Sequence, residues 1–422
     1  MNKKLKIIIA CISSVLILLG TFVLGFFTRE WTLDKETRQI MNLIDKYKKY
    51  YYFEQENVVD IISNEILDKY SNYYSKEEYE IVKRSAKGYG EGIRLSFLKN
   101  SSVINSVLGN SPAELQGVKE GGEVISINVG KGMVTPEDKS VIPNMIASAC
   151  NGTDITIKVK YGEEEKTYTL TKREYLRTYV KYISSSGTYS YQGEREVNRV
   201  KITEESLPFN EKTAYIKYSS FNGKDSGLKG SANQLENALE LFKSENKETL
   251  IFDLRDNGGG YLDILKDVSS LIVPQEKGEK VLTQYTIDKH GKKVEYYSPK
   301  SDFYKFNIKT LIVMLNENSA SASEALYGAI YDYSNKYSFN LKTVISSSIL
   351  NGETVYKSYG KGIMQTTYLN SDGSAVKLTT AKLYWPLSST CIHDIGITNA
   401  ISSEKIVNAK NDDALNVAIN LI

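Results

Sequence analysis

Residues 309–333 read KTLIVMLNENSASASEALYGAIYDY, and this stretch decides the fold of the chain. Thr310 to Leu315 form a short apolar run, which predicts a buried strand. Asn316 to Asn318 are turn formers, so the chain should bend there. A helix should then open in the segment Ser319 to Ser323, with an apolar face formed by Ala322, Leu326, Ala329, Ile330 and Tyr333.

Ser321 lies where the predicted strand turns into the predicted helix. The first N–H groups of a helix and the positive end of its dipole favour an anion at such a corner. A nucleophilic serine with an oxyanion hole would suit this position. A structural interpretation stands beside it, because Ser321 and Glu324 have the S-x-x-E spacing of a capping box, in which the serine only caps the helix.

The composition of the chain limits the class of protein and the ligands that it could bind. The chain has 422 residues, with 41% hydrophobic and 25% charged content, which is typical of a globular protein of several domains. A net charge of +2 gives no global field that would attract nucleic acid. The cysteines and histidines form no CxxC or Cys/His cluster, so neither a metal nor another cofactor is expected. Cys150 and Cys391 could pair or stay free.

The amino terminus predicts a membrane anchor. Residues 1–6 are basic, and Ile7 to Phe27 form an uncharged run that is long enough to cross a bilayer. The basic flank would keep the amino terminus in the cytoplasm and place the carboxy-terminal bulk outside it. A signal peptide is the alternative, but the run is long for one and no A-x-A site follows it. We therefore expect residues 1–28 to form a single-pass anchor in the cell membrane.

Two regions precede the largest block. The pattern of residues 29–86 predicts helices, one of which should begin with a capping box formed by Ser75 and Glu78. The tyrosine-rich surface of this region could form a homodimer or pack on its own domain. Residues 87–174 predict a small β-rich domain with helices at Ser111–Gln116 and Ile142–Ala149. Its strands are predicted at Gly92–Phe97, Val103–Val107, Val124–Val129, Ile155–Val159 and Lys166–Leu170.

Residues 175–422 predict a parallel sheet. Strands at Thr213–Tyr218 and Thr249–Leu254 are followed by a helix from about Tyr261 and then by the strand–serine–helix unit. This βαβα order favours crossover connections and a parallel sheet. Sites in such sheets lie at the carboxyl ends of the strands, so Asn257–Gly260 and Ser319–Ser323 should share one edge.

The chemistry at this edge needs an oxyanion hole and a base. The three glycines before the helix lack a dinucleotide or phosphate-loop pattern, but they could expose an N–H to a substrate carbonyl oxygen. A second N–H would come from the residue after Ser321. Lys361, between two glycines and near Gln365, is a candidate base, since burial can lower the pKa of a lysine. His393, beside Asp394, is a poorer candidate.

These stretches together resemble the carboxy-terminal processing peptidases, or tail-specific proteases. The matching segments run in the family's order from about residue 60 to 400: DKYSNYYSKEEY, GYGEGIRLSF, NSPAELQGVKEGGEVISIN, IFDLRDNGGG, NSASASE, YGKGIMQ, LTTAKLYWP and IHDIGIT. The resemblance implies an α/β fold with a crotonase/ClpP-like protease core and an inserted-type PDZ domain. The expected boundaries are an anchor at 1–28, a helical region at 29–86, a PDZ domain at 87–174 and a serine peptidase core at 175–422.

The resemblance also implies residue roles. Ser321 would be the nucleophile, Lys361 the general base, and Gln365 would orient the lysine amine. Gly259 and Ala322 would supply the two N–H groups of the oxyanion hole. In the PDZ domain, Gly88 to Gly92 would hold a terminal carboxylate ahead of a peptide-binding strand, so that Gly90, Gly92, Ile93 and Leu95 bind substrate.

The chain departs from the family pattern in three places. Ser321 and Lys361 are 40 residues apart, which is longer than usual, and the excess between Ser334 and Ser358 is predicted to be a surface insertion. Gly258 stands where proline is common. Gly122 stands where the PDZ domains usually carry aspartate.

The sequence thus predicts a membrane-anchored extracytoplasmic serine endopeptidase that recognises carboxy-terminal tails of protein or peptide substrates. The first alternative is a catalytically silent, anchored PDZ protein that only binds peptides. A further alternative is an acyl-transfer enzyme for small thioesters, against which the predicted anchor and the tail-binding domain both argue.

Overall fold

The computed structural model describes residues 34–50, 57–98, 100–193, 197–203, 210–223, 229–350, 353–398, 406–409 and 414–422. The chain divides into two compact units, Met1–Tyr73 and Tyr74–Ile422. The predicted anchor at Ile7–Phe27 lies outside the described residues. Within the described part of the chain, every helix is too short or too polar to cross a membrane.

The described part of the first unit is mainly helical, as predicted. Its described elements are α1 (Lys35–Tyr50), α2 (Val58–Ile66) and, at its carboxyl end, β1 (Asn72–Tyr74). Asn57 caps α2, because its side chain accepts a hydrogen bond from the N–H of Val59 at 3.0 Å. Helix α1 leaves several large apolar side chains exposed, among them Ile40, Met41 and Leu43. The predicted homodimer through this region stays a prediction.

The second unit begins with α3 (Lys76–Ala86), which opens with the predicted capping box. Ser75 Oγ accepts from the N–H of Glu78 at 3.2 Å, and Glu78 Oε2 accepts from the N–H of Ser75 at 2.8 Å. A small β-rich region follows. Its elements are β2 (Tyr89–Gly92), β3 (Leu95–Phe97), β4 (Ile104–Val107), α4 (Pro112–Leu115), β5 (Glu123–Asn128), a 3-10 helix (Lys139–Val141), α5 (Ile142–Ser148), β6 (Asp154–Tyr161), β7 (Glu164–Thr171) and β8 (Arg173–Leu176).

This β-rich region has a core of its own. Strands β5, β6 and β7 form an antiparallel sheet, and their inward residues Val124, Ile127, Ile155 and Ile157 are buried together with Ile93, which lies between β2 and β3. Gly122 packs against the ring of Tyr161, where a Cβ would lie 2.4 Å from Cε1. A side chain at position 122 would therefore collide with the ring of Tyr161.

The remaining elements build three further sheets, one of which has only two strands. In chain order they are β9 (Val180–Ser184), β10 (Gly187–Gln192), β11 (Asn198–Thr203), β12 (Thr213–Tyr218), α6 (Ser231–Ser244), β13 (Thr249–Asp253), α7 (Leu262–Ile272), β14 (Lys280–Asp288), β15 (Lys293–Lys300), a 3-10 helix (Phe303–Phe306), β16 (Thr310–Leu315), α8 (Ala322–Tyr337), β17 (Asn340–Ser346), β18 (Ser348–Leu350), β19 (Glu353–Val355), β20 (Ile363–Leu369), β21 (Ala375–Tyr384), β22 (Ile406–Ala409) and α9 (Ala414–Asn420).

The larger sheet has eight described strands in the order β11-β10-β9-β12-β13-β16-β17-β22. Strands β12, β13, β16, β17 and β22 are parallel, which confirms the predicted parallel sheet. Leu311, Val313 and Leu315 face helices α6 to α8, whereas Ile312 and Met314 face α9. Helices cover both faces, and this explains why the run is apolar at every position from Leu311 to Leu315.

The smaller sheet contains the antiparallel pairs β14–β15, β14–β21 and β20–β21. Strand β20 begins two residues after Lys361, so this sheet carries the segment that follows the candidate base. The register of β20 on β21 shifts between Met364 and Gln365. Such a bulge re-aims the following side chain, and it lies here beside the candidate site.

One expectation about this region was wrong. The segment from Ser334 to Ser358 is not simply a surface insertion, because it contains the last turn of α8 and the core strand β17. Leu341, Val344 and Ile345 of that strand are fully buried in the parallel sheet. The added part is the hairpin β18–β19, which lies outside the parallel pairing.

Gly328 offers a test of how α8 is packed. The helix crosses the buried ring of Trp385 there, and a Cβ on Gly328 would lie 2.2 Å from Trp385 Cδ1. Helix propensity alone would make Gly328→Ala stabilising by about 1 kcal/mol. Overpacking should outweigh this gain, so we expect the free energy of unfolding in urea to fall by about 1–3 kcal/mol.

The matched control for Gly328→Ala is the same change in a Trp385→Leu background. With the ring removed, the alanine should become neutral or stabilising relative to glycine. An equal loss in both backgrounds would show that the indole ring does not set the space at Gly328.

Candidate active site

Two corners of the parallel sheet lie side by side. Strands β13 and β16 pair in parallel, with Asp253 opposite Met314 at their carboxyl ends. The N–H of Leu254 then donates to the carbonyl of Met314 at 2.9 Å, and the N–H of Ala320 donates to the carbonyl of Asn257 at 3.0 Å. The glycine turn and the serine corner therefore share one edge, as the βαβα order predicted.

The three neighbouring serines have different surroundings. Ser319 Oγ donates to the carbonyl of Leu254 at 2.8 Å, and Ser323 Oγ donates to the carbonyl of Asn257 at 2.8 Å. Both side chains are 0% exposed, so they fasten the two corners to each other. Ser321 is partly exposed and lines a cavity. Among the three, Ser321 alone presents its side chain to that cavity.

Ser321 has a constrained backbone. Its φ is 57°, a left-handed value that costs energy for any residue except glycine. Gly259 packs directly against it, since a Cβ on Gly259 would lie 2.9 Å from Ser321 Cβ and 2.8 Å from the nitrogen of Ala322. A glycine is required at position 259 because the serine corner occupies the space of any side chain there.

The two predicted oxyanion donors differ in this structure. The N–H of Ala322 lies at the first position of α8, beside Gly259. The N–H of Gly259 donates to Asn257 Oδ1 at 2.9 Å. Ala322 thus holds the position expected of an oxyanion donor, whereas the Gly259 amide must leave the asparagine before it can bind a substrate oxygen.

Lys361 lies in a loop between two tightly packed glycines. A Cβ on Gly360 would lie 2.9 Å from the nitrogen of Gly396, and one on Gly362 would lie 2.6 Å from the nitrogen of His393. The N–H of Tyr359 donates to the carbonyl of Ser319 at 3.0 Å. The glycines therefore let the lysine loop pass between the serine corner and the turn at residues 392–396.

The carboxylate of Glu324 connects the serine corner to the lysine loop. Its Oε2 accepts from the N–H of Ser321 and from the N–H of Lys361, each at 2.9 Å. Its Oε1 accepts from the N–H of Gly360 at 2.7 Å and from Ser358 Oγ at 2.5 Å. One oxygen therefore holds the main chain of both the candidate nucleophile and the candidate base.

Glu324 is 1% exposed, and this burial raises the pKa of its carboxyl above the usual value. The hydrogen bonds from Ser358, Gly360, Lys361 and Ser321 act in the opposite direction and favour the ionised form. All four partners are donors, because Ser358 Oγ itself accepts from the N–H of Ile397 at 2.7 Å. The arrangement therefore suits a carboxylate oxygen pair.

Ser321, Ala322, Lys361 and Gln365 line a single cavity of about 820 Å³. Its other walls come from the glycine turn, α3, α7, β14, β20 and β21. Gln365 Nε2 is buried and has no acceptor among the described residues. The structure thus gathers every residue predicted for catalysis, including Gly259, around one open cavity.

The histidines are placed elsewhere. His393 Nε2 lies 3.4 Å from Asp394 Oδ2, and neither residue is among those that line the cavity with Ser321. Cys150 and Cys391 are both free thiols. In the ranges that the structure covers, His, Cys, Asp and Glu side chains form no group of three suited to a metal ion.

The predicted peptide-binding residues lie in the β-rich region, away from this cavity. Gly90 and Gly92 belong to β2, which pairs with β8, so the predicted carboxylate loop at residues 88–92 is largely a strand. The reason is close packing, because a Cβ on Gly90 would lie 2.4 Å from the ring of Tyr175. Ile93 is buried in the core, and Leu95 opens β3, which pairs only with β4 among the described strands.

Sequence reasoning missed two features of the site. The S-x-x-E spacing was a visible signal for Glu324, but it indicated only a helix cap and not the contacts to the lysine loop. Gln284 of β14 also lines the cavity, where it is 2% exposed. No local motif marks Gln284, since it comes from a strand of the smaller sheet that the sequence pattern did not reveal.

The sheet edge with the glycine turn and the serine corner forms one wall of the cavity that Ser321, Lys361 and Gln365 line. Residues 212–403 match the sequence profile of Peptidase family S41. The predicted resemblance to the carboxy-terminal processing peptidases is thereby confirmed, and the matched segment contains the glycine turn, Ser321, Lys361 and Gln365.

Individual relatives agree with this family. The chain is 28% identical over 320 residues to Carboxyl-terminal-processing peptidase 3, chloroplastic, of Arabidopsis thaliana, covering 74% of this chain and 53% of that protein. It is 26% identical over 381 residues to "Probable CtpA-like serine protease" of Staphylococcus aureus, covering 86% of this chain and 65% of that protein. The chain thus spans between half and two thirds of the length of these relatives.

A solved structure named photosystem II D1 C-terminal processing protease also aligns with the chain. The sequence identity is 17% and the TM-score is 0.48, with 87% of this chain and 86% of that chain covered.

Glu324→Gln tests whether Glu324 connects the serine corner to the lysine loop. The amide would present N–H groups to backbone N–H donors, so two of the four hydrogen bonds should be lost at a buried position. We expect the free energy of unfolding in urea to fall by roughly 2–5 kcal/mol. Glu353→Gln, on the exposed strand β19, is the control and should change it by less than about 0.5 kcal/mol. Equal effects of the two changes would contradict the role of Glu324.

Proposed function

We propose that this protein is a serine endopeptidase that cleaves peptide bonds with a Ser321/Lys361 dyad. The observation that carries the proposal is the shared cavity. Ser321 and Lys361 both line it, and their backbone amides are held by the same oxygen of Glu324. Two groups that must exchange a proton need such a fixed arrangement, because catalysis is sensitive to small displacements.

The proposed reaction follows from these groups. The neutral amine of Lys361 takes the proton of Ser321 Oγ as that oxygen attacks the peptide carbonyl carbon. The resulting oxyanion accepts hydrogen bonds from the N–H groups of Ala322 and Gly259. The lysine then gives its proton to the departing amine, which leaves an acyl-enzyme, and water releases the product with Lys361 again as the base.

Two groups would adjust for this reaction. Gln365 would hold the lysine amine through its side-chain oxygen. The N–H of Gly259 would have to turn from Asn257 Oδ1 towards the substrate, which costs one hydrogen bond and gains a charge-assisted one. Gly258 allows this turn, because it stands where the family commonly has proline and a Cβ there would meet nothing within 4 Å.

We further propose that the β-rich region acts as a PDZ domain that recognises carboxy-terminal tails. Strand β3 pairs with β4 and has no second strand partner in the described residues, so one edge can accept an extended peptide. Leu95 lies at the start of that strand and would contact the tail. A terminal carboxylate would meet the backbone of residues 92–94, which follow β2, rather than the whole glycine segment.

We also propose that the protein is anchored in the cell membrane with its peptidase part outside the cytoplasm. The support is the sequence of residues 1–27, in which a basic segment precedes a long uncharged run. Substrates would then be extracytoplasmic proteins or peptides with accessible carboxyl ends.

Substitutions at the dyad test the proposed chemistry with β-casein as an unfolded substrate. Ser321→Ala should lower the cleavage rate by at least about a thousandfold. Lys361→Arg should do the same, because arginine keeps the charge but does not lose its proton. Ser371→Ala, in an exposed turn, is the matched control and should cleave at the wild-type rate. If wild type leaves casein intact but binds peptide tails, the catalytically silent alternative is correct.

Leu95→Asp tests tail recognition separately. The substrate is one unfolded protein prepared with an apolar free carboxyl end and with the same end amidated. Wild type should cleave the free form faster by about tenfold, the effect of roughly 1.4 kcal/mol of binding. Leu95→Asp should abolish this ratio while leaving the cleavage of a short internal peptide unchanged. Equal cleavage of the free and the amidated form by wild type would contradict the tail-binding proposal. It would not affect the proposal of a Ser321/Lys361 dyad.

A further inference from the structure

A second cavity, of about 310 Å³, shares part of its wall with the candidate active site. Ser220, which follows β12, lines both this second cavity and the one that Ser321 lines. Other parts of the wall come from the β-rich region, at residues 106–109, and from the segment 177–181 at the start of β9. A space of this size is at the lower end of small-molecule sites, so it can hold a group as large as one or two amino acid residues.

Arg177 is the cation of the second cavity that has no carboxylate beside it in the described part of the chain. Its side chain is only partly exposed, its Nε is buried, and its guanidinium makes no hydrogen bond or ion pair with any described residue. A guanidinium cannot lose its proton, so a partly buried one without an acceptor attracts an anion. The other cations of the wall each have a carboxylate within 3.6 Å, and they are Lys181, Lys217 and Arg255.

Thr178 adds a buried hydroxyl next to Arg177 in the chain. It is 9% exposed, and its Oγ1 has no hydrogen-bond partner among the described residues. Its N–H donates to the carbonyl of Gly109 at 3.4 Å, which holds the backbone of this segment against the β-rich region. A change of the χ1 rotamer is enough to redirect the hydroxyl. An unsatisfied buried hydroxyl costs free energy, which a bound acceptor would recover.

The charges around the second cavity select among anions. Three acidic residues line it, and they are Glu114, Glu120 and Asp256. They would repel a dianion such as a phosphate group more strongly than a group with a single charge. A carboxylate has one charge, and its two oxygens match the parallel N–H groups of a guanidinium. The wall therefore suits a carboxylate better than a phosphate.

We propose that the second cavity binds a carboxylate group, with the guanidinium of Arg177 as its ion-pair partner and the hydroxyl of Thr178 as a further donor. Two sources share this chemistry. One is the carboxyl end of a peptide that lies in the candidate active site and reaches past Ser220, and this source rests on the proposed peptidase function. The other is a small free acid that binds by itself.

The first experiment measures binding without turnover. The protein is the full chain with Ser321→Ala and Leu95→Asp, which remove cleavage and the proposed tail contact. The probes are N-acetyl-dialanine and its carboxamide, and their affinities are measured by saturation-transfer NMR titration. The acid should bind at least about tenfold more tightly than the amide, because only the acid can form the ion pair.

Arg177→Met, added to the same protein, tests the assigned partner. It should lower the affinity for the acid to that for the amide. The change removes a partly buried charge without an acceptor, so the thermal midpoint should stay the same or rise, and a loss of binding would not reflect unfolding. Arg199→Met, on the exposed strand β11, is the matched control and should leave both affinities unchanged.

A peptide series distinguishes the two sources. The peptides come from one casein site that wild type cleaves, and their carboxyl ends lie at increasing distances beyond the scissile bond, each as the free acid and as the amide. If the carboxylate belongs to the substrate, the KM of the acid should be about tenfold below that of the amide at one length. This difference should persist in Leu95→Asp and disappear in Arg177→Met. Equal KM values at every length would assign the site to a small free acid.

The outcomes separate this inference from the proposed function. Equal affinity for the acid and the amide, or binding of the acid that survives Arg177→Met, would overturn the inference and leave the peptidase function standing. Binding of the acid that depends on Arg177 supports the inference even if wild type leaves casein intact. In that case the proposed function alone would be overturned.

Discussion

The hydrogen bonds accepted by Glu324 are the contacts on which the rest of the site depends. The serine corner is fixed to the parallel sheet through Ser319 and Ser323, but the lysine loop belongs to no regular element. Glu324 joins the two by accepting from the N–H of Ser321 and of Lys361 on one oxygen. Without this carboxylate, the loop would be attached to the corner chiefly by the contact between Tyr359 and Ser319.

Burying the carboxylate of Glu324 costs free energy, and this explains why four hydrogen-bond donors surround it. An isolated buried charge is strongly unfavourable, and it is tolerated only when each oxygen has partners. Glu324 receives two donors on each oxygen, and three of the four are backbone N–H groups. Backbone donors have little freedom to move away, so the charge and the loop geometry maintain each other.

The sequence was informative wherever a local pattern has a single structural meaning. The apolar run from Thr310 to Leu315 favoured a buried strand, and the βαβα order favoured a parallel sheet with the glycine and serine turns at one edge. Those constraints placed Ser321, Gly259 and the parallel sheet correctly. The resemblance to a peptidase family added Lys361 and Gln365, which no periodicity could have identified.

The features that the sequence did not reveal depend on contacts between distant segments. Strand β14 pairs with the distant strand β21 as well as with its neighbour β15, and no local pattern in the sequence marks the distant pairing. Strand β17 lies inside the segment that was predicted to hold a surface insertion, because Ser321 and Lys361 are farther apart along the chain than the family usually shows. Gly90 was interpreted as a ligand-binding glycine, although the ring of Tyr175 is what excludes a side chain there.

The hairpin β18–β19 has a consequence for how such proteins can change over evolution. It lies between Ser321 and Lys361 in the chain, yet the two are brought together by Glu324, which is only three residues from the serine. The distance along the chain between nucleophile and base is therefore free to vary, since neither is positioned by the length of the connection. Extra residues can therefore be inserted between Ser321 and Lys361 without moving either residue. For the same reason, the number of residues between the two is a poor guide to which relatives retain the dyad.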